Sequence, residues 1–184
     1  MNLSLDGYVE ALGQDDGSWL RIDDEVHAAF NERAAGAAAF LYGRKVFEVM
    51  IPYWPDAAGD PSRPKYEYEY AQIWLHKPKV VFSSALQQSN WNTRVVPGGV
   101  IEEVEKLKAE ATSDLLCYGG PQLISALDER RLIDEYVLYV HPTALGAGKP
   151  FFRCRTPLQL LGTRRFAIGT VELRYAGVSS AAKP

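Results

Sequence analysis

Apolar and polar positions follow two rhythms along this 184-residue chain. Up to about residue 130, short apolar runs that end in glycine or serine alternate with segments of helical spacing; beyond it, only strand-like runs remain. Leu3, Leu5, Tyr8 and Val9 mark a short first strand ending near Asp6-Gly7. Residues 22–36 predict a helix, with Asp23 or Asp24 as N-cap, Val26, Phe30 and Ala34 four apart, and Gly36 as the stop. The apolar run 37–43 predicts a strand, and "RKVFEVMI" the first turns of another helix. Pro52, Pro55, Gly59, Pro61 and Pro64 make residues 52–64 a candidate functional loop. A tyrosine-rich helix at 65–77, a buried strand at 79–84 and a short strand at 93–96 follow. Ile101, Val104, Leu107 and Ala111 then share one face of an amphipathic helix, with Glu102 and Lys106 paired on the other. "DLLCYGG" predicts a strand whose glycines open a further helix, and three strand-like segments after Leu132 complete the chain. The sum is an α/β fold, its sheet parallel for most of its width with an antiparallel C-terminal edge. One domain over 1–178 and a frayed tail at 179–184 are expected, with no internal repeat.

Composition narrows the function classes. With 47% apolar residues, 23% charged residues and a net charge of −3, the chain reads as an ordinary globular protein without the basic surplus of a nucleic-acid binder. No uncharged stretch approaches the ~18 residues that span a bilayer, and the N-terminus carries no leader pattern, so no membrane partner and a cytoplasmic location are expected. Cys117 and Cys154 match no metal or disulfide spacing, and His27, His76 and His141 are dispersed, so no metal site is expected and each histidine reads as structural or exposed.

Candidate chemistry gathers where strands hand over to helices. At Gly119-Gly120, an apolar strand stops and a helix starts, which presents main-chain N–H groups and a helix dipole to an anion. Gly43 repeats the design, with Arg44 and Lys45 at a helix start, where cations complement the dipole poorly unless an anion is bound. Ser83 and Ser84 sit at a third strand end, placed to bond a phosphate or to cap the next segment. Three such edges point to a dinucleotide. "GAGKP" at 146–150 is not a P-loop, because Pro150 follows Lys149 and strands surround it; Gly146 and Gly148 read as backbone-geometry residues. Tyr66, Tyr68, Tyr70 and Trp74 read as the packed face of a helix, with an aromatic lid over a flat heterocycle as the alternative.

"SLDGYV" (4–9), "YGRKVFE" (42–48), "VVFSS" (80–84), "CYGGPQL" (117–123) and "LIDEYVLYVHPTALGAGKPFF" (132–152), in that order, resemble the dihydrofolate reductase-like fold. Within it, they are similar to the reductase domains related to the C-terminal half of the bifunctional riboflavin-biosynthesis deaminase-reductase, RibD. The resemblance implies a single three-layer α-β-α domain and an NADPH cofactor. It further implies cofactor contacts at Leu5, Gly43, Arg44, Lys45, Ser83, Ser84, Gly119, Gly120, Gln122 and Leu123, with the loop at Ser18-Trp19 beside the nicotinamide. Trp19 and Tyr118 become substrate-side residues, Asp6 and Asp24 the proton-donor candidates, and a homodimer is expected from relatives. Tyr118 stands where riboflavin-pathway members typically carry Glu, and Val46 where dihydrofolate reductases usually carry Thr. The first strand is expected to be short, and no deaminase zinc motif is present. The implied activity is an NADPH-dependent reduction of a small heterocyclic substrate, similar to 5-amino-6-(5-phosphoribosylamino)uracil reductase or dihydrofolate reductase. The alternative is a non-catalytic nucleotide-binding or regulatory protein on the same fold.

Overall fold

The computed structural model describes residues 1–87 and 90–177; the predicted tail 179–184 lies outside the described residues. The chain begins with β1 (Asn2–Leu3) and β2 (Tyr8–Ala11), then α1 (Asp24–Gly36) and β3 (Ala39–Gly43). Three helices follow, α2 (Arg44–Met50), α3 (Trp54–Gly59) and α4 (Lys65–His76), and lead to β4 (Lys79–Phe82) and β5 (Thr93–Val96). Next come α5 (Val100–Glu110), β6 (Leu115–Gly119) and α6 (Pro121–Glu129). The last elements are β7 (Glu135–Val140), β8 (Gly148–Pro150), β9 (Leu158–Arg165) and β10 (Val171–Gly177). The class is mixed α/β, as the alternation predicts, and its hydrogen-bond ladders form three sheets. The chain divides into two compact units, one made of the two outer parts of the sequence, residues 1–26 and 133–177 (the outer unit), and one of its middle, His27–Leu132 (the inner unit).

The inner unit is built on a four-stranded parallel sheet in the order β5-β4-β3-β6. Its central strands are apolar and buried along their length, as strands covered on both faces must be. Phe40, Tyr42, Phe47, Tyr70, Trp74 and Val81 form its core, so the tyrosine-rich helix α4 presents a packed face, with Tyr70 and Trp74 inward. The region 52–64 is not an irregular loop throughout. Pro55 sits in the first turn of α3, where its missing N–H costs nothing, and Arg63 clips the following turn by bonding to Asp56 at 2.8 Å.

The outer unit joins β1-β7-β10-β9 in one sheet, with β1 parallel to β7 and the other pairs antiparallel. β2 and β8 form a separate antiparallel pair. Asp6-Gly7 proves to be a turn between two strands rather than the end of one, because Ser4 Oγ accepts the Tyr8 N–H at 2.9 Å and Gly7 adopts φ +87°. β1 has only two residues, short as expected. β8 has no apolar alternation to announce it, since a glycine, a lysine and a proline compose it. A Cβ at Gly148 would stand 2.3 Å from Glu10 O, so the β2–β8 ladder closes only on glycine, which accords with its reading as a backbone-geometry residue. Leu3, Tyr136 and Leu138 lie at the centre of this unit's core, with Phe151 and Phe152 against them. No helix among the described residues is long and apolar enough to cross a membrane.

Candidate functional site

The parallel sheet reverses direction at one place. From β3 the chain steps outward to β4 and β5, then returns across the sheet to lay β6 on the other side of β3. Crossover helices diverge on either side of such a reversal and leave a crevice at the carboxyl ends of the two strands, where open α/β sheets bind ligands. The residues that end those strands here are Gly43 and Gly119-Gly120. They are close: a Cβ on Gly43 would stand 3.3 Å from Gly119 O and 3.4 Å from Gly120 N. Gly119 has φ +87°, which favours glycine on conformational grounds. Gly120 has φ −59° and only Val46 Cγ2, at 3.7 Å, near its would-be Cβ, so the fold itself tolerates a side chain there. Gly120 N-caps α6 without a side-chain cap, Pro121 removes one N–H, and the remaining first-turn amides face a helix start that favours an anion. Bare backbone at an uncapped helix start has the chemistry to receive a phosphate, and the peptide amides of Gln122 and Leu123 lie at that start.

The other residues predicted for this edge divide by environment. Arg44 Nη1 is bonded to both carboxylate oxygens of Glu48 at 2.8 Å, and Lys45 is exposed. Ser83 Oγ accepts the N–H groups of Ala85 and Leu86, which is the capping option of the two that the sequence left open; Ser84 is exposed. Gln122 is exposed, whereas the Leu123 side chain is buried and serves the core, leaving only its main chain for a ligand.

Tyr118 occupies an unexpected position. Leu41 pairs with Cys117 and Tyr42 with Gly119, so Tyr118 is the extra residue of a β-bulge. Bulges re-aim a side chain next to a site. Here the ring stacks on Tyr42 at 5.3 Å and 11°, and its hydroxyl joins a buried chain running through Tyr70 to Tyr42, whose oxygen accepts the Trp74 indole N–H at 3.2 Å. Burial pushes the Tyr42 and Tyr70 hydroxyls up, so this chain is neutral. Burial also pushes the Cys117 thiol up to about 11, leaving it protonated and unreactive at neutral pH. Sequence reasoning missed the chain because a bulge leaves no mark on apolar periodicity.

The remaining predicted residues belong to the outer unit. Leu5 is exposed in the β1–β2 turn and its N–H donates to Thr143 O at 2.8 Å. Asp6 accepts hydrogen bonds from Ser4 Oγ, Leu145 N and Gly146 N, and these hold its carboxyl down to about 2. These bonds favour the charged form of Asp6 and make it a clamp on the turn at Gly146. Asp24 is exposed at the start of α1, while Asp23 supplies the N-cap by accepting the Val26 N–H at 3.0 Å. Trp19 is buried, its indole N–H donated to Asp15 and its ring edge-on to His141 at 5.7 Å. Among the described residues, no cluster of three or more His, Cys, Asp or Glu could hold a metal ion.

A parallel sheet with glycine-ended strands on both sides of its reversal point, beside an antiparallel sheet, defines a mixed α/β protein. The chain belongs to the RibD C-terminal domain family, whose model matches residues 1–174. It is 32% identical over 177 residues to YyaP of Bacillus subtilis (strain 168), a protein described as uncharacterized, covering 94% of this chain and 90% of that one. In structure it is similar to a putative riboflavin biosynthesis protein from Shewanella sp. PV-4, with a TM-score of 0.67 at 20% identity over 97% of both chains. It is also similar to a diaminohydroxyphosphoribosylaminopyrimidine deaminase/5-amino-6-(5-phosphoribosylamino)uracil reductase from Thermotoga maritima. There the TM-score is 0.63 at 14% identity, over 96% of this chain and 55% of that one. These likenesses establish the fold, which is that of RibD reductase domains.

Proposed function

We propose that the protein is an NADPH-dependent reductase of a small heterocyclic substrate. The observation that carries this reading is the meeting of Gly43 with Gly119-Gly120 at the sheet's reversal point, at the uncapped start of α6. Membership of the RibD C-terminal domain family and likeness to a uracil-derivative reductase support it. Gly43, Gly119 and Gly120 would receive the pyrophosphate against bare backbone, with the amides of Gln122 and Leu123 donating to it. Arg44, Lys45, Ser83, Ser84 and the backbone at Leu5 are the further cofactor residues of this reading. When bound, the reduced nicotinamide supplies a hydride. The chain itself must orient that ring, exclude water and deliver a proton. Asp6, Asp24 or a water would relay that proton in this reading.

A second reading, a nucleotide-binding protein without turnover, is favoured by one observation: Tyr118 gives its hydroxyl to Tyr70, so the residue beside the glycine pair has a committed hydroxyl. Both are settled by following NADPH absorbance with the full chain across a panel of pyrimidines, pterins and carbonyl compounds. Oxidation with any member supports the reductase; saturable binding with no oxidation across the panel supports the second reading.

A further inference from the structure

The outer unit buries one imidazole completely, that of His141, just past β7. Its Nδ1 lies 2.9 Å from the main-chain N of Arg21, and its Nε2 lies 3.1 Å from Asn2 Oδ1. A main-chain N–H can only donate, so Nδ1 is the bare, accepting nitrogen and the ring proton sits on Nε2, donated to Asn2. Thr170 Oγ1 lies 3.3 Å from Nδ1 but gives its own proton to Arg21 O at 2.7 Å. Arg21 is thus held by both its N–H and its C=O. Trp19 packs edge-on against the same ring, and Thr143 Oγ1 donates to Trp19 O at 3.4 Å. One neutral imidazole therefore joins three stretches of chain: the β1 strand, residues 19–21 and the end of β7.

We propose that His141 is an acid-sensitive latch that docks residues 19–21 while it is neutral and releases them when Nδ1 is protonated. Protonation sets two N–H groups head to head across 2.9 Å, which removes the acceptor for Arg21 and replaces it with a repulsion. Burial disfavours the charged ring and lowers its affinity for a proton below the ordinary 6.5; hydrogen bonding with the Arg21 backbone acts the other way and is outweighed, and the N-terminal ammonium adds to the burial effect. The charged groups on the surrounding elements are Asp15 and Asp16 ahead of the docked segment, Arg21 within it, Glu135 on β7, and Glu172 and Arg174 on β10, where Arg174 pairs with Glu135. Among the described residues no carboxylate bonds to the ring, and Asp15 is occupied by Ala11 N, Gly17 N and the Trp19 indole. Thr170 Oγ1, 3.3 Å from Nδ1, is the acceptor left to the imidazolium, and it does not replace the bond that the Arg21 N–H loses.

The test is NMR of the full chain with labelled histidine. The expected results are an Nε2–H tautomer, a titration midpoint below 6.5, and an Arg21 amide whose exchange protection falls about tenfold per pH unit below that midpoint. His141→Asn keeps an oxygen acceptor near the place of Nδ1 and cannot be protonated, so the Arg21 amide should lose its acid dependence. An Nδ1–H tautomer, a midpoint at or above 6.5, or the same acid profile in His141→Asn overturns the latch. The first two are read on the unmodified chain and hold even if the variant does not fold.

Discussion

In the inner unit, glycine ends strands and clears space beside them; in the outer unit, glycine lets one strand close on another. Gly120 leaves room that the fold can spare, since a Cβ there would meet only Val46 Cγ2 at 3.7 Å, and Gly43 is tighter, with Gly119 O at 3.3 Å. Gly148 leaves none, with Glu10 O at 2.3 Å and Tyr8 Cβ at 3.1 Å. The same residue type thus borders the proposed ligand edge in one unit and marks a structural seam in the other. Whether the backbone needs the glycine is what separates the two.

The largest effect expected from this contrast is on stability. Gly148→Ala forces β2 and β8 apart and should cost about 3 kcal/mol, because the obstacle is main chain and cannot turn aside. Gly43→Ala asks only a few tenths of an ångström of the Gly119-Gly120 peptide and should cost about 1 kcal/mol or less, while weakening nucleotide binding. Urea unfolding of both variants, with equal or reversed losses, would break the comparison.

The units also differ in how they bury a base, and this gives a smaller, pH-dependent effect. The outer unit keeps His141 neutral, whereas the inner unit buries the Lys79 ammonium, which donates to Lys77 O at 2.8 Å and Trp91 O at 2.6 Å and lies 4.5 Å from the Trp74 ring centroid. Burial lowers Lys79 to about 8. Between that value and the ordinary lysine value of 10.5, the unfolded chain holds a proton that the folded chain has released, so the contribution of this group to stability rises with pH across that window. The slope is at most about 1.4 kcal/mol per pH unit. Lys79→Met should flatten that rise, as read from unfolding midpoints between pH 8 and 10; an unchanged slope would mean that Lys79 titrates normally.

Legibility in the sequence followed the same division. Every helix and strand of the parallel sheet was visible as an apolar run or a helical stripe, because strands buried on both faces and amphipathic helices impose their period on sequence. The edge residues Gly43 and Gly119-Gly120 followed from where those runs stop. α3 was hidden because its prolines read as loop, though a proline in the first turn suits a helix. In the outer unit the late strands were visible as apolar runs, but the contacts that tie its loops, such as Asp6 with Gly146 N and His141 with Arg21 N, join residues far apart in sequence, and no local pattern encodes these. The inward turn of Tyr118 depends on a one-residue bulge, which pairing geometry decides and periodicity does not.

The central claim, that the glycine pair closing β6 receives a pyrophosphate, is tested most directly by titrating the full chain and its Gly120→Asp variant with NADPH, following cofactor fluorescence. The backbone at Gly120 accepts a side chain, so the variant should keep its fold, as circular dichroism can verify, and fail only at the ligand. The account predicts saturable binding by the unmodified chain and loss of at least tenfold in affinity with the carboxylate in the crevice. Binding of equal strength by a folded Gly120→Asp variant would contradict it.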